Sequence, residues 1–153
     1  MQYVTGADVA NAGGCVFCDH LAAGDDEGAH ILFRGEGVFV LLNAFPYNTG
    51  HLMVAPLRHV GDLADLEPAE RAELHEVTYR AVEAVREAMN PDGFNIGMNL
   101  GSASGAGIPG HLHMHVVPRW TGDTNFMTTI GEAKVLPEML ADTDRKLRPL
   151  FSR

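Results

Sequence analysis

Between Pro68 and Asn90 the apolar residues Leu74, Val77, Ala81, Val85 and Ala88 recur at helical spacing with charged residues between them. Glu67 and Pro68 suit the start of that helix, and the Asn90-Pro91 pair suits its end. Before it, "GVFVLLN" (37–43) is β-branched and aromatic enough for a strand. "AFPYNTG" supplies Pro46, Asn48 and Gly50 as turn chemistry, and "HLMVAPLRH" reads as the returning strand. After it, Phe94, Ile96, Met98 and Leu100 alternate with Asn95, Gly97 and Asn99, which predicts a strand with one polar face carrying Asn99. "GSASGAGIPG" (101–110) is a loop of small residues. It leads into "GHLHMHVVPRW" (110–120), where Leu112, Met114 and Val116 alternate with His111, His113 and His115. A last helix is expected after Pro137 in "PEMLADTDRKL". Residues 1–30 show no sustained period, so order is expected to begin only after a loose entry segment. With no internal repeat, these elements predict an α+β domain: an antiparallel sheet with one long helix and a C-terminal helix.

Composition narrows the class. A chain of 153 residues, 46% of them hydrophobic, fits a single domain over 1–153, with 1–14 expected to be loosely ordered. The formal charge of −9 argues against a partner that is a nucleic acid polymer, because capture of a polyanion needs a net basic footprint. A small anion would have to be held by local donors set against that field. No basic start followed by an apolar run and no membrane-length apolar stretch occurs, so a cytoplasmic location without a membrane partner is expected. The only two cysteines, Cys15 and Cys18 in "CVFCDH", read as half of a metal site or as a redox pair. Redox is the weaker reading, since no βαβ pattern surrounds them.

The three alternate histidines raise the sharper question. In a strand they share one face, while Leu112, Met114 and Val116 share the other. Positions two apart lie roughly 7 Å from each other, and His111 and His115 about 13 Å, too far for one zinc with bonds near ~2 Å. The imidazoles must divide their labour. Nucleotide chemistry offers a division: one neutral imidazole attacks phosphorus and another donates to the non-bridging oxygens. Gly105, Gly107 and Gly110 would let backbone N–H groups approach the same anion. A catalytic ion on His113 and His115 is the competing arrangement.

The stretch "HLHMHVV" resembles the signature of the histidine triad (HIT) family, in which three histidines alternate with apolar residues. "LLNAFPYNTGHLMVAPLRH" is similar to that family's strand, turn and Gly-His strand. "VVPRWTGDTNFMTTIGEAKVLPEML" resembles the branch of diadenosine tetraphosphate phosphorylases and hydrolases. The resemblance runs from about residue 15 to 140. It implies a nucleotidyl hydrolase or transferase acting on dinucleoside polyphosphates or related nucleotides through a covalent nucleotidyl-histidine, with His113 attacking the α-phosphorus. His115 and His51 would hold the phosphoryl oxygens, Asn43 the ribose, and Asn99 would stand opposite the phosphate. A phosphorylase, a phosphoramidase and a nucleotide-binding protein without turnover are the alternatives. Resemblance to zinc-containing relatives further implies that Cys15, Cys18, His59 and His111 hold a structural Zn²⁺, with four protein ligands and no open position. His20 and His30 are close enough in sequence to compete. A homodimer joined through an edge strand is also implied. The chain departs from the family in the loop, where Gly107 and Ile108 stand in place of the usual Gln or Ser, leaving Ser102 or Ser104 as possible substitutes. Arg119 and Trp120 have two candidate roles, nucleotide contact or packing, and Asn125 and Lys134 have none.

Overall fold

The structure is a computed structural model that describes residues 14–124 and 138–152. The chain runs α1 (Val16–Ala23), β1 (Ile31–Arg34), β2 (Val38–Leu42), β3 (Leu52–Pro56), α2 (Pro68–Met89), β4 (Gly93–Met98), β5 (Met114–Arg119) and α3 (Leu140–Phe151). The five strands form one sheet in the order β1-β2-β3-β5-β4, with each neighbouring pair antiparallel. This is the α+β arrangement expected from the sequence.

Both faces of the sheet are covered, which explains why β2 and β3 read as unbroken apolar runs: all five residues of each are buried. On one face Val38, Val40, Leu42, Leu52, Val54, Leu112, Met114 and Val116 pack against Leu74, Val77, Ala81 and Val85 of α2 and Leu147 and Phe151 of α3. On the other, Ile31, Phe39, Leu41, Met53 and Ala55 receive Phe17 from α1. The long helix has the predicted ends. The Glu70 carboxylate accepts from the Glu67 N–H at 2.8 Å, satisfying a first-turn donor, and Asn90 closes the helix at φ 47°.

Three expectations change. Residues 14–30 are not loose around the cysteines: α1 forms there, ended by Gly24 at φ 68°, and β1 follows. Both are too short for a period to show, and α1 is fixed by the burial of one residue, Phe17. The β5 ladder begins only at Met114, so His111 and His113 precede it. The chain peels away because the Leu112 N–H donates to Val60 O at 2.7 Å instead of to a neighbouring strand. The alternation survives nonetheless, since Leu112 lies in the α2-side core and His111 and His113 lie against Phe17 on the other face. Strand β4 stops at Met98, and as an edge strand it leaves Ile96 50% exposed, with Leu100 beyond it at 41%. The expected last helix forms as α3, which starts at Leu140 and continues through Pro149. Pro137, Asn125 and Lys134 lie outside the described residues, as do residues 1–13. Among the described residues no helix is long and apolar enough to cross a membrane.

Candidate functional site

Helix α1 places Cys15 and Cys18 one turn apart, and the segments after β3 and before β5 bring His59 and His111 to them. The four ligand atoms all lie within 4.8 Å of one another. Cys15 Sγ is 3.3 Å from His111 Nδ1, Cys18 Sγ is 3.4 Å from His59 Nδ1 and 3.6 Å from His111 Nδ1. A tetrahedron with metal bonds of ~2.0–2.3 Å has edges of roughly 3.3–3.8 Å, which the three sulfur–nitrogen separations match, and a separation at the 4.8 Å bound would close by about 1 Å around an ion of zinc's size. The tautomer agrees. His111 Nε2 donates to Pro56 O at 2.8 Å, which leaves the Nδ1 lone pair facing the thiols, as a metal ligand requires. His30 does not enter the cage, being bound to Asp144 at 2.8 Å. Neither does His20, which lines the cavity described below.

The remaining imidazoles form a chain with fixed donors. The Tyr47 N–H donates to His51 Nδ1 at 3.0 Å, so the His51 proton is on Nε2, which donates to His115 Nδ1 at 2.9 Å. His115 therefore carries its own proton on Nε2, and that atom is buried with no partner among the described residues. His113 is set by a different acceptor: its Nδ1 donates to His111 O at 2.8 Å, leaving the lone pair on Nε2. The His113 and His115 rings meet edge to face, 4.8 Å between centroids. Thus a ring with an unprotonated nitrogen packs against a ring whose N–H has no partner among the described residues. His51 is fully buried and enters from the turn before β3, where Gly50 adopts φ 78°; a side chain there would also meet Met89 Sδ at 2.7 Å.

The His113 and His115 rings line a cavity of about 350 Å³, whose apolar lining includes Phe17, Leu41, Met53 and Ile108. Asn43 and Gly107 line it; Asn99 and Gly105 do not. Asn43 is tied in place, its Oδ1 accepting the Phe45 N–H at 2.9 Å and its Nδ2 lying 3.4 Å from His51 Nδ1. The sequence did not single out the contributions of α1 and of residues 28–30 to this wall, because no period marked those segments. A second cavity lined by Asn48, Trp120 and Asp123 contains no imidazole.

With the geometry in hand, the comparisons are decisive about kinship. The HIT domain family model matches residues 26–122. The chain belongs to the HIT domain family. It is 48% identical over 129 residues to an "AP-4-A phosphorylase" of Mycobacterium tuberculosis, a match covering 84% of this chain and 66% of that one. The chain thus spans just under two thirds of that relative's length. It is 29% identical over 96 residues to the asymmetrical bis(5'-nucleosyl)-tetraphosphatase of Schizosaccharomyces pombe, covering 63% and 52% of the two chains. Among solved structures, a Zn-bound histidine triad family protein from Mycobacterium smegmatis superposes with a TM-score of 0.73 at 31% identity, covering 91% and 94% of the chains.

Within this HIT domain the loop departure has a structural expression. Ile108 and Gly107 line the cavity, whereas Ser102 and Ser104 sit exposed in a short 3₁₀ turn, with Ser104 Oγ donating to Gly101 O at 2.7 Å. Neither serine lines the cavity. Arg119 is engaged structurally, donating to both Asp123 oxygens and to Asn95 Oδ1. Asp123 also accepts from Asn48 Nδ2 at 2.8 Å, which ties the turn carrying His51 to the end of β5.

Burial and the neighbouring His113 imidazole push the His115 ring down to about 4. The groups facing it are His51, His113 and Tyr47, whose ring stacks 5.7 Å away. An unfolded chain takes up the proton first, near the ordinary imidazole value of ~6.5. This contribution to stability is therefore complete above about 6.5 and lost progressively as the pH falls to about 4. Urea midpoints measured across that window are expected to fall more steeply for the wild type than for His115→Gln, which has nothing to titrate; parallel curves refute the assignment.

Proposed function

We propose that the protein is a nucleotidyl-transferring enzyme of dinucleoside polyphosphates, using His113 as nucleophile. One observation carries the reading: His113, whose Nε2 keeps its lone pair, and His115, whose Nε2 N–H has no partner among the described residues, both line a cavity of nucleotide size. A phosphoryl oxygen accepts from His115 while its phosphorus receives the His113 lone pair. The N–P bond forms as the bond to the bridging oxygen breaks, and that oxygen leaves with the electron pair as the nucleoside polyphosphate. An acceptor oxygen then forms a bond to phosphorus, and the N–P electron pair returns to Nε2. Charge that grows on the non-bridging oxygens meets a donor held in place by His51 and Tyr47, so no reorganisation is needed at that moment. Asn43 at the rim supports ribose binding.

The acceptor read here is inorganic phosphate, supported by the similarity to the AP-4-A phosphorylase. The test is incubation with diadenosine tetraphosphate with and without phosphate, followed by chromatography. ATP and ADP are expected when phosphate is present. ATP and AMP would identify a hydrolase, release of an amine from a nucleoside phosphoramidate alone a phosphoramidase, and tight AMP binding with no product under any acceptor a binding module.

Cys15, Cys18, His59 and His111 are read as the ligands of a structural Zn²⁺, supported by the donor set, the spacing and the Zn-bound relative. When bound, the ion supplies rigidity and not an open coordination position. Asn99 and Gly105, away from the cavity wall, keep a binding role in this reading only at the outer end of the substrate. The reading includes a cytoplasmic homodimer joined through β4, supported by the uncovered edge and half-exposed Ile96.

A further inference from the structure

The neighbours of His115 wall it in unevenly. Strand register sets Met53 of β3 on one side of it and Gly97 of β4 on the other, and residues opposite each other in an antiparallel pair share a face of the sheet. Met53 is buried and fills its side. Gly97 gives no cover, since a Cβ built there would meet no atom within 4 Å. The buried His113 ring meets His115 edge to face, and the buried His51 ring is tilted against it with 5.1 Å between centroids. Tyr47 completes the set. Its ring is stacked on His115 at an interplanar angle of 23°, 5.7 Å between centroids, and lies 4.7 Å from the His51 ring. At 46% exposure, it is the one of these side chains with solvent on its outer side.

Tyr47 acts on this pair in two separable ways. Its backbone N–H donates to His51 Nδ1 at 3.0 Å and so sets the direction of the hydrogen bonds; that contact survives truncation of the side chain. Its ring lies against both imidazoles of the bond from His51 Nε2 to His115 Nδ1, 2.9 Å long. A proton taken up by His115 Nδ1 would face the His51 N–H with a second donor, and the bond would break. We propose that the Tyr47 side chain is a positioning residue for the reaction, its ring shielding the His51–His115 bond from water so that His115 stays neutral and keeps its proton on Nε2. That this N–H serves a phosphoryl oxygen rests on the nucleotide reading given above. A tyrosine face also attracts an imidazolium, but burial outweighs that attraction, since it pushes the His115 ring down to about 4.

The test follows the histidine ring signals by heteronuclear NMR from about pH 8 to about pH 5, with those of His115 assigned by their loss in His115→Gln. In the wild type His115 is expected to stay largely neutral over this range. In Tyr47→Ala, which keeps the backbone N–H, roughly half or more of it is expected to be protonated at about pH 5. Tyr47→Phe is expected to titrate as the wild type does. With diadenosine tetraphosphate at about pH 8, Tyr47→Ala is expected to lose kcat by roughly tenfold with KM changed by less than about threefold, and Tyr47→Phe to restore it. Equal titration of His115 in the wild type and Tyr47→Ala, an alanine-like Tyr47→Phe, or a raised KM with kcat kept overturns the proposal, the last by making Tyr47 a binding surface. A wild type that turns over no nucleotide overturns the nucleotide reading, while the imidazole signals, which need no substrate, still decide whether Tyr47 shields His115. The wild-type titration needs no variant: a His115 half protonated at about pH 6 overturns the proposal even if Tyr47→Ala does not fold.

Discussion

Alanine at position 113 is expected to reduce turnover of diadenosine tetraphosphate by roughly 10³-fold or more, because no other described group places a free nitrogen lone pair beside His115 Nε2. Binding should survive. The phosphoryl oxygens would still meet His115, and the base would still meet the apolar lining, so AMP affinity is expected to change by less than about tenfold. Steady-state rates and calorimetry on one preparation separate the two effects. Rapid quenching in base should trap a nucleotidyl adduct on the wild type and none on His113→Ala. Full turnover by the alanine variant would sink the covalent scheme outright. Loss of binding together with turnover would show that His113 serves the cavity's shape and not its chemistry. The geometry argues for the first outcome, since the ring is oriented by a backbone carbonyl, an acceptor that fixes its tautomer whatever the ligand does.

Removal of the metal should have its main effect on the fold. A closed set of two thiolates and two imidazoles contributes its binding free energy to folding, with apparent values of about 10 kcal/mol or more in small zinc domains. Cys15→Ser, or treatment of the wild type with a strong chelator, is expected to lower the melting temperature by on the order of 10 °C or more. Metal analysis should return one zinc per chain before treatment. A catalytic ion on His113 and His115 predicts the opposite pattern, with activity lost and the melt unchanged. Activity is expected to fall together with stability here, because the carbonyl that orients His113 belongs to a cage residue, His111.

The sequence made the α2 helix, the central strands and the imidazole cluster legible because each rests on local regularity. Leu74, Val77, Ala81 and Val85 recur at the period of the helix they form, and Glu67 and Asn90 stand where its ends require them. The alternation of His111, His113 and His115 with Leu112, Met114 and Val116 likewise reports two faces, even though the ladder itself begins at Met114. Helix α1 and strand β1 were opaque for the converse reason. Eight and four residues are too few for a period, and what fixes them is long-range: Phe17 against Phe39 and the histidines, and Ile31 opposite Leu41. The pairing of His30 with Asp144 was hidden in the same way, since 114 positions separate two residues that no spacing rule relates. Loop composition showed where flexible backbone would be but not that Gly107 and Ile108 face the cavity while Ser102 and Ser104 do not.

The HIT domain model matches residues 26–122, so α1 and α3 lie outside the matched stretch. Yet α1 contributes the two thiols of the Cys15, Cys18, His59 and His111 cluster and the Phe17 wall, and α3 contributes the carboxylate that holds His30. The sheet and its adjoining loops therefore carry the imidazoles, while the thiols of the cluster and one wall of the cavity depend on a helix outside the matched stretch.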